Sequence, residues 1–127
     1  MENKTHLGEL HAEFTGWISN LLFYKDELSS LQKRLEEVVK KNNKMEIMSG
    51  VEHFQNQFIR QREVIDILKH DIRAAEKQLA GNAQHSPVAS ATRLIESPEA
   101  LQDQYETFIK IYNELKDEFE QFLSKAL

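Results

Sequence analysis

The start of the chain carries the densest group of residues that could bind a metal ion. His6, Glu9, His11 and Glu13 fall within the first turns of a predicted helix. Imidazole nitrogens and carboxylate oxygens at helical spacing are common ligands of divalent metals. His6 and His11 are five residues apart, however, and a shared site on one helix needs a spacing of three or four residues. We therefore expect no metal site at this end of the chain.

Catalytic and cofactor chemistry lacks its usual sequence patterns in this chain. No glutamate has a histidine three residues later, so the Glu-x-x-His motif of di-metal helical bundles is absent. The serines lie in no context that resembles a nucleophile elbow or a phosphate loop, and the four glycines are isolated. The lack of cysteine excludes thiol catalysis, disulfides and cysteine-ligated metals. We expect no catalytic residue, no metal ligand and no cofactor, and hence not an enzyme.

The size and charge of the chain limit its class further. It has 127 residues with 16 basic and 21 acidic side chains, a formal net charge of -5. Folding at this length buries roughly two thirds of the unfolded chain's surface, enough for one domain with a real core. Nucleic-acid binding relies on lysine and arginine, which are in deficit here. No apolar run reaches the roughly 18 residues of a membrane helix, and the first residues do not resemble a signal peptide. We expect a cytoplasmic protein that binds neither nucleic acid nor membrane.

The apolar residues form three long series in which the spacing alternates between three and four, the pattern of a helix packed in a bundle. The first series comprises Leu7, Leu10, Phe14, Trp17, Leu21, Tyr24, Leu28, Leu31, Leu35 and Val38. The second comprises Ile47, Val51, Phe54, Phe58, Gln61, Ile65, Leu68, Ile72, Ala75 and Leu79. The third comprises Leu101, Tyr105, Phe108, Tyr112, Leu115, Phe119, Phe122 and Ala126. These series predict an all-α fold, an elongated antiparallel three-helix bundle with coiled-coil-like heptad packing.

Polar gaps and turn-forming residues divide these series into helices of one domain, residues 1–127. The first helix is expected over about 6–42, and the second over about 45–80. Residues 41–44 form a polar gap in which Asn42 or Asn43 can end the first helix in the left-handed conformation, and Gly81 is a natural cap for the end of the second. Residues 81–96 are expected to form a loop and a short helix from about 87 to 96. The third helix should span about 98–126, because Ser97-Pro98 combines an N-cap residue with proline in the first helical position.

Gln61 is the only polar residue in the second apolar series. A buried amide needs hydrogen-bond partners. The antiparallel arrangement would place the phenols of Tyr24 and Tyr112 at about the same height in the bundle. We therefore expect Gln61 to lie in the core, bonded to one of the two hydroxyls.

Four large apolar residues fall outside the series, at Leu22 and Phe23 in the first helix and Ile59 and Ile67 in the second. One reading is a rotated core, or coverage by the third helix, that buries them. The other is an exposed patch, since contiguous apolar surface on a soluble protein usually marks a contact. The leading hypothesis is a non-enzymatic bundle that contacts a protein partner or itself, as a scaffold, adaptor or self-assembling unit. The alternative is a small-molecule or metal-binding bundle that uses the histidine-rich start.

Two resemblances accompany this interpretation. The segments 23–27 and 51–58, with sequences FYKDE and VEHFQNQF, resemble those of small helical proteins of Bacteroidetes-type bacteria, a likeness that implies no activity. Trp17 in a long first helix is similar to the tryptophan of the spectrin repeat, a three-helix unit. The long, proline-broken loop before the third helix departs from that repeat, so the likeness concerns architecture alone.

Protein purified without an affinity tag should contain no stoichiometric zinc or iron, because no series position holds a histidine or carboxylate. Elemental analysis of the purified chain checks this prediction. One equivalent of either metal, retained through gel filtration, would contradict it.

Overall fold

In a computed structural model of the chain, residues 2–82 and 97–127 are described, with side chains over 8–81 and 97–127. This part of the chain forms α1 (Glu2–Lys41), α2 (Met45–Asn82) and α3 (Pro98–Ala126). The three helices pack on one another, so the predicted all-α three-helix bundle is confirmed. None of the described helices has an apolar stretch that could cross a membrane. The short helix expected over 87–96 lies outside the described residues.

The core follows the predicted series closely. Its fully buried members are Phe14, Leu21, Leu28, Val38, Phe58, Ile65, Ile72, Leu101, Phe108, Tyr112 and Phe119. One assignment in the third series is wrong, because Leu123 takes the buried position near the end of α3, whereas Phe122 is only partly buried. Both residues fit a three-or-four spacing after Phe119, and the rotation of α3 against its neighbours decides between them.

Cross-helix bonds define the directions of the three helices. Residue 11 lies against residue 76, and residue 25 against residue 66, so α1 and α2 are antiparallel. Residues of α1, and Asn42 just after it, are instead bonded to α3 residues that lie 84 to 89 positions later in the sequence, so α1 and α3 are parallel. At 1.5 Å per residue, α1 is about 60 Å long and projects beyond the start of α3.

Aromatic rings attach α3 to a different helix at each of its ends. In its first half, Tyr105 stacks on Trp17 of α1 with 5.3 Å between ring centroids. In its second half, Phe119 contacts Phe58 of α2 edge to face at 5.0 Å. Such ring pairs stabilise a fold beyond the area they bury. The position of α3 along and around the hairpin is therefore set at both ends.

At the helix ends, one predicted cap is confirmed, and the two predicted left-handed caps are wrong. Ser97 caps α3 by accepting a hydrogen bond from the Ala100 amide at 3.1 Å, with Pro98 in the first turn. Neither Asn42 nor Asn43 adopts a left-handed conformation. The side-chain Nδ2 of Asn42 instead donates to Val38 O at the end of α1 and to Ala126 O at the end of α3. Gly81 lies inside α2, which continues to Asn82, so it is not the expected cap.

Gly50 is the glycine that the packing of α2 on α3 requires. A Cβ atom at this position would overlap the ring of Phe122, which is itself packed on Phe54 with centroids 5.1 Å apart. The ring cannot move away without losing that contact. The absence of a side chain at residue 50 thus allows α3 to pack closely against α2.

Gly50→Ala should lower the free energy of unfolding by about 1–2 kcal/mol, because overpacking outweighs the gain in helix propensity. Gly8→Ala is the matched control, since a Cβ there meets nothing within 4 Å. The control should be neutral or stabilise slightly. Urea unfolding followed by circular dichroism measures both. If Gly50→Ala is as stable as the control, the close approach of Phe122 is contradicted.

Candidate interaction surface

The four apolar residues outside the series are exposed. Phe23 is 60% exposed and Ile67 is 55% exposed, and Leu22 and Ile59 are each more than 40% exposed. The third helix does not cover them, so a rotated core that buries them is excluded. They are available for contact with another molecule.

Leu22 and Phe23 lie on different sides of α1, although they are adjacent in sequence. Consecutive residues of a helix point about 100° apart. Lys25, one turn after Leu22, pairs with α2, so Leu22 lies toward α2. Glu27, one turn after Phe23, accepts a hydrogen bond from α3, so Phe23 lies toward α3.

Ile59 and Ile67 are separated in the same way on α2. Arg62, one turn after Ile59, donates hydrogen bonds to α1, so Ile59 lies on the α1 side. Ile67 lies one turn after Val64, which packs against the core. Val64 is two heptads after Gly50, the residue that faces α3, so Ile67 lies on the α3 side. The four residues therefore do not form the single patch expected from sequence. They lie on three faces of the bundle, one between each pair of helices, because residues at the same level along the bundle axis can point in different directions.

Phe23 is the most exposed of these residues and the best supported. Its ring packs edge to face on Tyr24 at 5.7 Å between centroids. Tyr24 in turn contacts Tyr112 at 4.7 Å and Phe108 at 5.7 Å on α3. Phe23 is therefore the outermost ring of an aromatic cluster whose inner members are fixed by two helices. Aromatic side chains, phenylalanine among them, are enriched in protein interfaces relative to the rest of the surface.

A partly buried polar cluster lies beneath this face, between α1 and α3. The Tyr112 hydroxyl donates to Glu27 Oε1 at 2.5 Å, and Lys116 Nζ donates to Glu27 Oε2 at 3.2 Å. Burial, together with the hydrogen bond to the Glu27 carboxylate, raises the pKa of Tyr112 far above its usual range. Burial also raises the pKa of Tyr24. The cluster satisfies its own polar groups and leaves the apolar ring of Phe23 as the feature that faces outward.

Gln61 is buried at 6% exposure, so its predicted place in the core is confirmed. Its predicted hydrogen bond is wrong. Tyr112 is buried, but it lies on the α1 side of α3 and donates to Glu27 instead. Tyr24 is only partly buried, and among the described residues no hydrogen bond joins its hydroxyl to Gln61. A bond to a carboxylate is stronger than one to a neutral amide, which favours the observed pairing of Tyr112.

The histidine-rich start contributes a pair and a cavity rather than a set of ligands. His11 Nδ1 lies 2.6 Å from Glu76 Oε2, which joins the start of α1 to the end of α2. The pair borders a cavity of about 350 Å³ whose other walls include Leu10, Phe14 and Leu79. No group of three or more candidate ligands occurs among the described side chains, which do not include His6. The walls suit an apolar guest and offer no array of polar groups to select one.

Sequence reasoning missed two kinds of residue. Ile111 on α3, away from the face around Phe23, is 44% exposed, and the apolar series gave no expectation of this exposure. Glu27 and Asn20 carry the polar contacts to α3, Asn20 by donating to the Tyr105 hydroxyl at 2.7 Å. The available signal was their position one turn from aromatic members of the first series. That signal becomes specific only when the offset between α1 and α3 is known.

Comparison with family models, with curated proteins and with solved structures yields no match to this chain.

Alkaline pH should destabilise the protein through Tyr112. An unfolded phenol has a pKa of about 10, whereas the pKa of this phenol is raised on folding, so only the unfolded state loses the proton above about pH 10. The resulting loss is at most about 1.4 kcal/mol per pH unit for this group. In Tyr112→Phe the free energy of unfolding should fall less steeply above about pH 10 than in the wild type.

Urea unfolding at a series of pH values measures this difference. At neutral pH the same variant should be less stable than the wild type by about 1–3 kcal/mol, because it lacks the bond to Glu27. Identical pH dependence of the two proteins would show that the Tyr112 phenol is not protected in the fold.

Proposed function

We propose that this protein is a non-enzymatic helical bundle that acts by contacting protein, and that the α1 face around Phe23 makes the contact. The observation that carries this proposal is a phenylalanine 60% exposed on a helix, at the edge of a fixed aromatic cluster. Burying such a side chain contributes up to about 2 kcal/mol, and a few contacts of that size support a micromolar complex.

The polar surroundings of Phe23 favour binding. The Tyr112 and Tyr105 hydroxyls already have partners in Glu27 and Asn20. A partner that covers this face therefore leaves neither of these two phenols buried without a hydrogen bond, and it avoids that penalty for both. Because the bundle holds these groups in place, little conformational freedom is lost when the partner binds.

The described residues offer less support for other functions. The cavity beside His11 and Glu76 would be the site of the small-molecule alternative, but its polar pair is already engaged internally. Scaffold, adaptor and self-assembling roles all use a contact face of this kind. A cytoplasmic location stays a prediction from the sequence.

Site-specific photo-crosslinking tests the proposal in cells that produce the protein. A photoreactive phenylalanine analogue replaces Phe23 in one variant and Ile111 in a matched control, which is 44% exposed and on another helix. The proposal expects a discrete protein adduct of defined mass from position 23 and none from position 111. No adduct at position 23 above the control would contradict it.

A further inference from the structure

The two halves of α1 carry opposite charge. Residues 2–20 contain one lysine and three glutamates, whereas residues 28–41 contain four basic and two acidic residues. Two such helices attract each other when antiparallel and repel each other when parallel.

The surface near Phe23 leaves room for another helix. Gly16, Ser19 and Ser30 occupy the same outward side of α1, and all are exposed. A Cβ at Gly16 would meet nothing within 4 Å, so packing within the chain does not require this glycine. Glycine destabilises a helix interior relative to alanine, whereas its lack of a side chain permits close approach of a second helix.

We propose that this face binds the same face of a second copy of the chain, with the two α1 helices antiparallel and the twofold axis near Phe23. The inference rests on the proposed function and names its partner. Around that axis the Phe23 rings of the two copies meet at the centre, flanked by the small residues of each helix. This arrangement is self-complementary, as the interface of a twofold dimer must be.

The same axis brings charged residues together at both ends of the interface. Glu13 precedes Phe23 by 10 residues and Arg34 follows it by 11, so Glu13 of each copy lies about level with the other copy's Arg34. Glu9, 14 residues before Phe23, lies level with the other copy's Glu37, and this like-charged pair opposes part of the attraction. Arg34 is on the α3 side of α1, over the Phe119 ring at 6.0 Å, as this face requires. A helix about 60 Å long is sufficient for the roughly 1,200 Å² that a specific interface buries.

Sedimentation equilibrium of the purified chain tests the proposal. The wild type should form a dimer of twice 14.8 kDa, with Kd in the micromolar range. Phe23→Ala should raise Kd at least about 10-fold, while Ile67→Ala, the matched control on another face, should leave it unchanged. Circular dichroism verifies that each variant is folded. Alanine is used because a charged residue at this site could disturb the packing of Tyr24.

Charge reversal tests the antiparallel direction. Glu13→Arg and Arg34→Glu should each raise Kd about 3- to 10-fold, and the double variant should restore the wild-type value. A parallel dimer would show no such rescue, because each of these two residues would then face the same residue of the other copy.

Three results would overturn the inference. In the first, the wild type stays monomeric at about 0.5 mM. In the second, Ile67→Ala weakens the dimer and Phe23→Ala does not. In the third, the double charge variant does not restore the Kd that the single charge variants raise. A monomeric wild type whose position 23 still crosslinks to a different protein would overturn the dimer alone and leave the proposed function standing. Absence of every crosslink would remove the proposed function itself.

Discussion

The aromatic contact between α1 and α3 is the constraint on which the rest of the structure depends. Trp17 and Tyr24 of α1 meet Tyr105 and Tyr112 of α3, and these rings set the rotation of each helix about its axis. That rotation turns Phe23 outward, because Phe23 is about 100° from Tyr24 on α1. A different rotation of α1 against α3 would bury Phe23 and remove the candidate surface.

Polar groups reinforce the same arrangement at two heights. Glu27 receives bonds from both Tyr112 and Lys116, which joins α1 to α3 near the middle of the bundle. Asn42 bonds the carbonyls at the ends of α1 and α3, which aligns the two helices at the hairpin end. Hydrogen bonds to partly buried charged groups are among the stronger polar contacts in a fold. The offset between α1 and α3 is thus fixed by polar as well as aromatic contacts.

The helices and most of the core were predictable from the sequence, because the buried face of a helix requires apolar residues at a regular spacing of three or four. Ser97-Pro98 located the start of α3, and Gln61 was placed correctly in the core. The polar partners were not predictable, since the choice of Tyr112 for Glu27 over Gln61 depends on the rotation of α3. The division of the apolar residues among three faces has the same origin. Spacing identifies outward residues on one helix, but only tertiary packing shows which of them share a surface.

An NMR dilution series tests the central claim most directly, namely that the outward face of α1 around Phe23 binds the same face of a second copy. Amide chemical shifts of the labelled protein are compared between high and low concentration. The account predicts concentration-dependent shifts at Gly16, Ser19 and Phe23, with the amides of Ile59, Ile67 and Ile111 unchanged. Shifts centred on Ile67 or Ile111, or none on α1, would contradict it.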